Sequence, residues 1–214
     1  MKQNIKRPEI AMIILAAVVF AAGRIAFYLS GEVIWVTSVS KAVMTVIIMI
    51  IAISVFSRKR TRFNVFILAA IAVYCAADIM INISFPVGMG LFALGHIIFI
   101  VGSLIENHKI RPLQIVLFAV VAVIIIAGFI ILRKMIPAQL FVPALIYALL
   151  LVAAWASVFN KGLLLRIGYS IFVISDMMLA LNAVLKGNIF VAVTELAIYY
   201  VALVLFSFSM LREK

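Results

Sequence analysis

Runs of roughly 20 consecutive apolar residues recur along this chain, each long enough to cross ~30 Å of hydrocarbon as a helix. They place eight spans at about 8–29, 34–56, 63–82, 87–105, 112–132, 137–158, 163–184 and 188–210. Of the 214 residues, 68% are hydrophobic, well above the share in a soluble domain. Connections are short, and no segment has the size or polarity of a soluble domain. The expected architecture is therefore all-α, a polytopic bundle of eight transmembrane helices, with residues 1–214 forming a single integral membrane domain. The first span has no small-residue cleavage site after a short apolar core and reads as a permanent helix.

A formal charge of +11 would suggest nucleic acid in a soluble protein. Here topology accounts for it, and no nucleic-acid partner is expected. Thirteen of the eighteen Lys and Arg residues fall in the N-terminal tail, the even-numbered loops and the C-terminal tail, including Arg58, Lys59, Arg60 and Arg62 together. Only Arg133, Lys134 and Lys186 lie in loops on the other side, and Arg24 and Lys41 lie within spans. The positive-inside rule then puts both termini in the cytoplasm, in a cell inner or plasma membrane.

Tyr28, Trp35 and Trp155 fall near span ends, as interface anchors do. Pro143, about two turns into the sixth span, should open or bend it. Gly88, Gly95 and Gly102 recur every seven residues and should let a neighbouring helix approach the fourth span closely. The single Cys75 reads as a buried spare thiol. With His108 in a basic loop, His96 is the only imidazole within a span, so one chain cannot build a three-histidine zinc site. There is no glycine-rich phosphate loop, and neither cofactor nor metal is expected.

Six ionisable residues interrupt the apolar spans: Arg24, Lys41, Asp78, His96, Asp176 and Glu195. A charge at the bilayer centre costs ~2.5–3.5 kcal/mol on insertion scales, so such groups usually pair and line a cavity. At ~1.5 Å of rise per residue, Asp78 and Arg24 lie ~6–7 Å below the outer boundary, and Glu195 and Asp176 ~9–10 Å. Lys41 lies at ~12 Å and His96 at ~14 Å on the same scale. All six share the outer half of the membrane although they come from six helices, which suggests one outward-opening cavity. Residues four apart share a helix face, so Tyr74, Asp78 and Asn82 form a polar stripe, as do Thr37, Lys41 and Thr45. Glu195 stacks with Tyr199 in the same way, and Arg24 with Tyr28. With His96 neutral the six groups sum to one negative charge, so a shared proton would leave one carboxyl as a candidate general acid.

The sequence around Asp78, Ala77-Asp78-Ile79-Met80, echoes Ser175-Asp176-Met177-Met178, 98 residues later. Such an offset is close to half the chain and raises two parallel four-helix halves.

Several of these segments together resemble the YhhN family. Gly168-Tyr169-Ser170-Ile171-Phe172-Val173-Ile174-Ser175-Asp176, continued by Met177-Met178-Leu179-Ala180, resembles its most characteristic motif. Ala77-Asp78 resembles the first aspartate motif, Gly88 through Phe92 with Gly95-His96 the glycine, phenylalanine and histidine stretch. Ser40-Lys41 resembles the lysine motif of the second helix, and Tyr199-Tyr200 the tyrosines of the last. The chain departs from the pattern at Ala77, Ala42 and Leu203, where the family often has glycine, proline and glutamine. The resemblance implies a lysoplasmalogenase-like activity, cleavage of the vinyl ether of a lysoplasmalogen to a fatty aldehyde and a glycerophospho-alcohol. It implies Asp78, His96 and Asp176 as the core of the site, with Lys41 and Tyr199 in support.

That chemistry suits the residues. One protonated carboxyl can protonate the alkene carbon while an ionised carboxylate stabilises the oxocarbenium ion and activates water, as glycosidase carboxylates do. Ser170 and Ser175 lack a positioned base and read as packing or hydrogen-bonding residues. The expected partners are the lipid bilayer and a single-chain lysolipid, bound with its head near Arg24 and Lys41 and contacting Tyr74, Asn82, Glu195 and Tyr199. The rival expectation is a small proton-coupled transporter that uses Asp78, Asp176 and Glu195 as a relay. Sparse polarity in the inner half speaks against it.

Overall fold

In hydrocarbon every backbone N–H and C=O must find its partner within the protein, and a helix does this within one segment. The computed structural model of the chain describes residues 5–30, 34–106, 110–184 and 189–212. Through them run eight helices: α1 (Arg7–Leu29), α2 (Ile34–Arg58), α3 (Arg62–Met80), α4 (Phe85–Glu106), α5 (Pro112–Ile131), α6 (Ala138–Ser157), α7 (Leu163–Val184) and α8 (Ile189–Ser209). All eight are long and apolar enough to cross a membrane, and their ends fall within two residues of the expected spans. Local chemistry sets several starts. Thr61 caps α3 by accepting from Asn64 N at 3.2 Å. Pro8 and Pro112 fall in the first turns of α1 and α5, where no backbone donor is needed. Helix α6 runs unbroken through Pro143.

Helix α3 is the centre of the bundle, with Ile67, Ala70, Ile71, Tyr74 and Ala77 wholly buried. It packs on α2, α4 and α8, while α1 lies outside on α2 and α5 outside on α6. Most neighbour pairs repeat on a shift of four helices. The α3–α4 pair matches α7–α8, α1–α2 matches α5–α6, and the α4–α6 contact matches α8–α2. That is the neighbour pattern of two parallel four-helix halves; the α3–α8 contact is the main departure from it.

The glycine stripe of α4 faces α3. A β-carbon on Gly95 would overlap the Tyr74 ring, one on Gly102 would press on Phe66, and one on Gly88 on Ile81. Small residues here set the α3–α4 separation, as the spacing predicted.

The basic end of the bundle is tied by ion pairs and amides. Arg58 donates to Glu9 at 2.9 Å and joins α2 to α1. Lys161 pairs with Glu106 at 3.3 Å and lies over the Phe63 ring. Gln114 and Ser103 both donate to the Ser157 carbonyl, at 2.9 and 2.8 Å. Trp155 does more than its position near a span end suggests: its indole donates to Ser170 Oγ at 3.0 Å and ties α6 to α7. Ser170 and Ser175 act as hydrogen-bonding residues, and Cys75 is a buried free thiol. Tyr28 is exposed, as an anchor would be, whereas the side chains of Trp35 and Thr37 lie outside the described residues.

Candidate functional site

Asp78 sits near the end of α3, on the buried face it shares with Tyr74. One carboxylate oxygen pairs with Lys41 Nζ of α2 at 3.3 Å, and the other accepts from the Tyr200 hydroxyl of α8 at 2.7 Å. Three helices thus meet on one carboxylate. Lys41 also donates to Asn82 Oδ1 at 3.5 Å, one turn beyond Asp78. The stripes read from the sequence therefore face each other across the α2–α3 contact, although Thr45 turns to its own backbone at Ala42.

Asp176 has different surroundings. Its Oδ2 accepts a hydrogen bond from the Tyr147 hydroxyl of α6, and no cation lies within ion-pair distance among the described residues. Tyr147 in turn meets His96 Nε2 at 3.4 Å. The other ring nitrogen, Nδ1, lies 2.8 Å from both the Tyr74 and the Tyr169 hydroxyls. His96 is wholly buried, and its nitrogens face tyrosine hydroxyls only. If Tyr147 donates to Asp176, its oxygen is free to accept from an imidazole protonated at Nε2, which leaves Nδ1 to accept from tyrosine. One tautomer satisfies the chain from Tyr74 and Tyr169 through His96 and Tyr147 to Asp176.

The two groups are neighbours. Glu195 lies within electrostatic reach of Lys41, Asp176 and Asp78 together, and Tyr199 within reach of both aspartates. Ser175, next to Asp176, donates to the Glu195 carbonyl at 2.8 Å and fixes α8 against α7 at this level. Tyr199 is buried with its hydroxyl 3.4 Å from the Tyr74 carbonyl. Arg24 lies over the Phe27 ring, 5.3 Å from its centroid, and acts electrostatically on Tyr200. Lys41, Asn82, Asp176 and Glu195 are half-buried and form the accessible rim, whereas Asp78, His96 and Tyr74 lie behind it.

Beneath the rim the bundle is filled with rings. Tyr74 packs on Phe92, Phe99, Phe172 and Phe206, and Tyr169 on Phe99 and Phe206. Two cavities, of about 210 and 350 Å³, lie nearer the basic end, one against Gln114 and Ser157 and the other against Phe63 and Glu106. They share no residue with the carboxylate cluster and contain no aspartate, histidine or tyrosine, so the chemistry points to the rim instead. Among the described residues no three His, Cys, Asp or Glu side chains converge in a metal-binding arrangement.

Three residues of the network escaped the sequence reading of the polar groups. Tyr147 was hidden because α4 and α6 are not consecutive, and only the fold makes them neighbours. Tyr169 lies seven residues before Asp176, two turns along the same helix face, a spacing that could have flagged it. Tyr200, not its neighbour Tyr199, is the one that reaches a carboxylate.

No curated protein and no solved structure matches this chain. The family model described as the YhhN family matches residues 36–210, which hold Lys41, Asp78, His96, Tyr147, Asp176, Glu195 and Tyr200. The chain belongs to the YhhN family.

Proposed function

We propose that this protein hydrolyses the vinyl ether bond of a single-chain lysoplasmalogen within the membrane. The observation that carries the reading is the pair of carboxylates in unlike surroundings. Asp78 is paired with a lysine, while Asp176 is bonded by a neutral phenol. An acid and a charge-stabilising group are what an oxocarbenium route needs, and unlike environments are how two carboxyls come to take those roles.

In this mechanism Asp176 gives its proton to the alkene carbon remote from the ether oxygen. The oxocarbenium ion that forms is stabilised by the Asp78 carboxylate, held in place by Lys41 and Tyr200. Water adds to the carbon bonded to oxygen and loses a proton back to the site, giving a hemiacetal. The hemiacetal C–O bond then breaks as its hydroxyl proton passes to the departing oxygen. One water is consumed, and a fatty aldehyde and a glycerophospho-alcohol leave. His96 touches no reacting atom on this route; it is a positioning residue that acts through Tyr147 on Asp176.

The test is to incubate purified protein with alkenyl, alkyl and acyl lysolipids and assay free aldehyde. Aldehyde from the alkenyl lipid alone is expected. Its absence across the panel, with folded protein, would overturn the reading. The ring-filled layer of Phe99, Phe172 and Phe206 beneath the cluster favours a hydrolase over a proton-coupled transporter, which needs polar groups reaching the other face.

Two further results are expected. Tyr147→Phe removes the donor that meets the charge Asp176 acquires as it gives up its proton, and should lower kcat about 10-fold, in line with ~1.5 kcal/mol for a hydrogen bond to a charged group. An unchanged kcat would detach His96 and Tyr147 from the reaction. For orientation, both termini should be cytoplasmic, because the basic loops gather at their end of the bundle. Fusing a reporter to the C-terminus checks this: activity only on the outer side would reverse the protein and the opening of its site.

A further inference from the structure

Two polar atoms at the rim are buried and bonded to nothing among the described residues: Asn82 Nδ2 and Glu195 Oε2. Buried polar atoms nearly always have partners, because an orphan loses its water and gains nothing in return. These two are of opposite kind, a donor and an acceptor. Both border Lys41. Its ammonium donates to Asn82 Oδ1, which fixes the amide so that Nδ2 is the idle end. The Lys41 charge also lies within electrostatic reach of Glu195. The Ser175 bond to the Glu195 carbonyl brings that turn of α8 beside Asp176, and Asn82 reaches the Asp78 side of the site through Lys41.

The chemistry of the missing partner follows from the two idle atoms. A single partner for both must accept from an amide N–H and donate to a carboxylate. An ammonium donates but cannot accept. An ester carbonyl accepts but cannot donate, and a phosphate would face the Glu195 charge. Water does both, and of the groups a lipid carries an alcohol does both. A single-chain glycerolipid carries one free hydroxyl on the glycerol carbon next to the one bearing its ether. A two-chain lipid has an ester there, with no proton to give.

We propose that Asn82 and Glu195 form a subsite that binds the free glycerol hydroxyl of the substrate and thereby selects single-chain over two-chain lipids. This rests on the ether-hydrolase reading above. A site built to hydrogen-bond a substrate hydroxyl discriminates strongly against analogues that lack it, since its own buried groups are then left unpaired.

The experiment compares aldehyde release by the full-length protein from an alkenyl lysolipid and from its analogue with hydrogen in place of the glycerol hydroxyl. For the wild-type protein kcat/KM should fall about 100-fold on the deoxy analogue, the combined worth of one neutral and one charged hydrogen bond. In Glu195→Leu and Asn82→Leu the hydroxyl substrate should slow while the analogue does not, which brings the ratio of the two towards one. The ratio is internal to each preparation and so independent of how much of a variant folds. Equal cleavage of both lipids by the wild-type protein would overturn the subsite and leave the ether-hydrolase reading standing. Variants that slow both lipids in proportion would also overturn it, marking the two residues as structural. Aldehyde from neither lipid would remove the ether-hydrolase reading itself, and the subsite with it.

Discussion

Asp176→Asn and Asp78→Asn should each abolish most vinyl ether cleavage while leaving a folded, monodisperse protein. General acid–base groups contribute ~100 to 10,000-fold, and an amide can neither release a proton to the alkene carbon nor balance an oxocarbenium charge. The two losses should differ in their side effects. Asp176 has only Tyr147 as a bonded partner among the described residues, and an asparagine oxygen still accepts from that hydroxyl. Asp78→Asn keeps the Tyr200 bond but leaves Lys41 facing a neutral group, with Glu195 as a counter-charge within electrostatic reach. Breaking one partner out of a buried pair is the costly kind of change, so Asp78→Asn should also lower the unfolding midpoint. Thermal unfolding in detergent, run beside the aldehyde assay, separates the two effects. Near-normal turnover in both variants would end the two-carboxylate mechanism.

The spans were legible because hydrocarbon thickness is a strict ruler, and an apolar run of the right length leaves little choice of element. The gathering of Lys41, Asp78, Asp176 and Glu195 was legible because charges in lipid have few tolerable places and tend to pair. What the sequence hid is lateral. Periodicity gives the face of a helix but not its neighbours, so nothing in the spacing of α6 announced that Tyr147 would bridge His96 and Asp176. Tyrosine is also quiet in a hydropathy reading: Tyr147, Tyr169 and Tyr200 look like ring-bearing packing residues until a polar group is placed beside them. Trp155 showed only part of its role, because its position near a span end suggested an anchor and gave no sign that its indole ties α6 to α7 through Ser170. Glu9 was hidden in yet another way. It is buried at the basic end by an ion pair to a helix that starts 25 residues later, at Ile34.

The proposed catalytic geometry also depends on a residue with no side chain. Gly95→Ala should destabilise the protein by ~1–3 kcal/mol, the usual cost of inserting a methyl group into a packed core. Its new carbon would land on the Tyr74 ring, which Phe92, Phe99, Phe172 and Phe206 surround and which therefore has nowhere to swing. Relief can come only from parting α3 and α4, and that draws the Tyr74 hydroxyl away from His96 Nδ1. Activity should fall with stability, by about 100-fold, because a shift of ~1 Å in a positioned group costs that much. Gly90→Ala is the matched control. It lies on the same helix, a β-carbon there meets nothing within 4 Å, and the substitution should be neutral or stabilising by up to ~1 kcal/mol. Unfolding midpoints and aldehyde release for the two variants decide the matter. A Gly95→Ala protein as stable and as active as Gly90→Ala would mean that the close α3–α4 approach does not hold His96 in place.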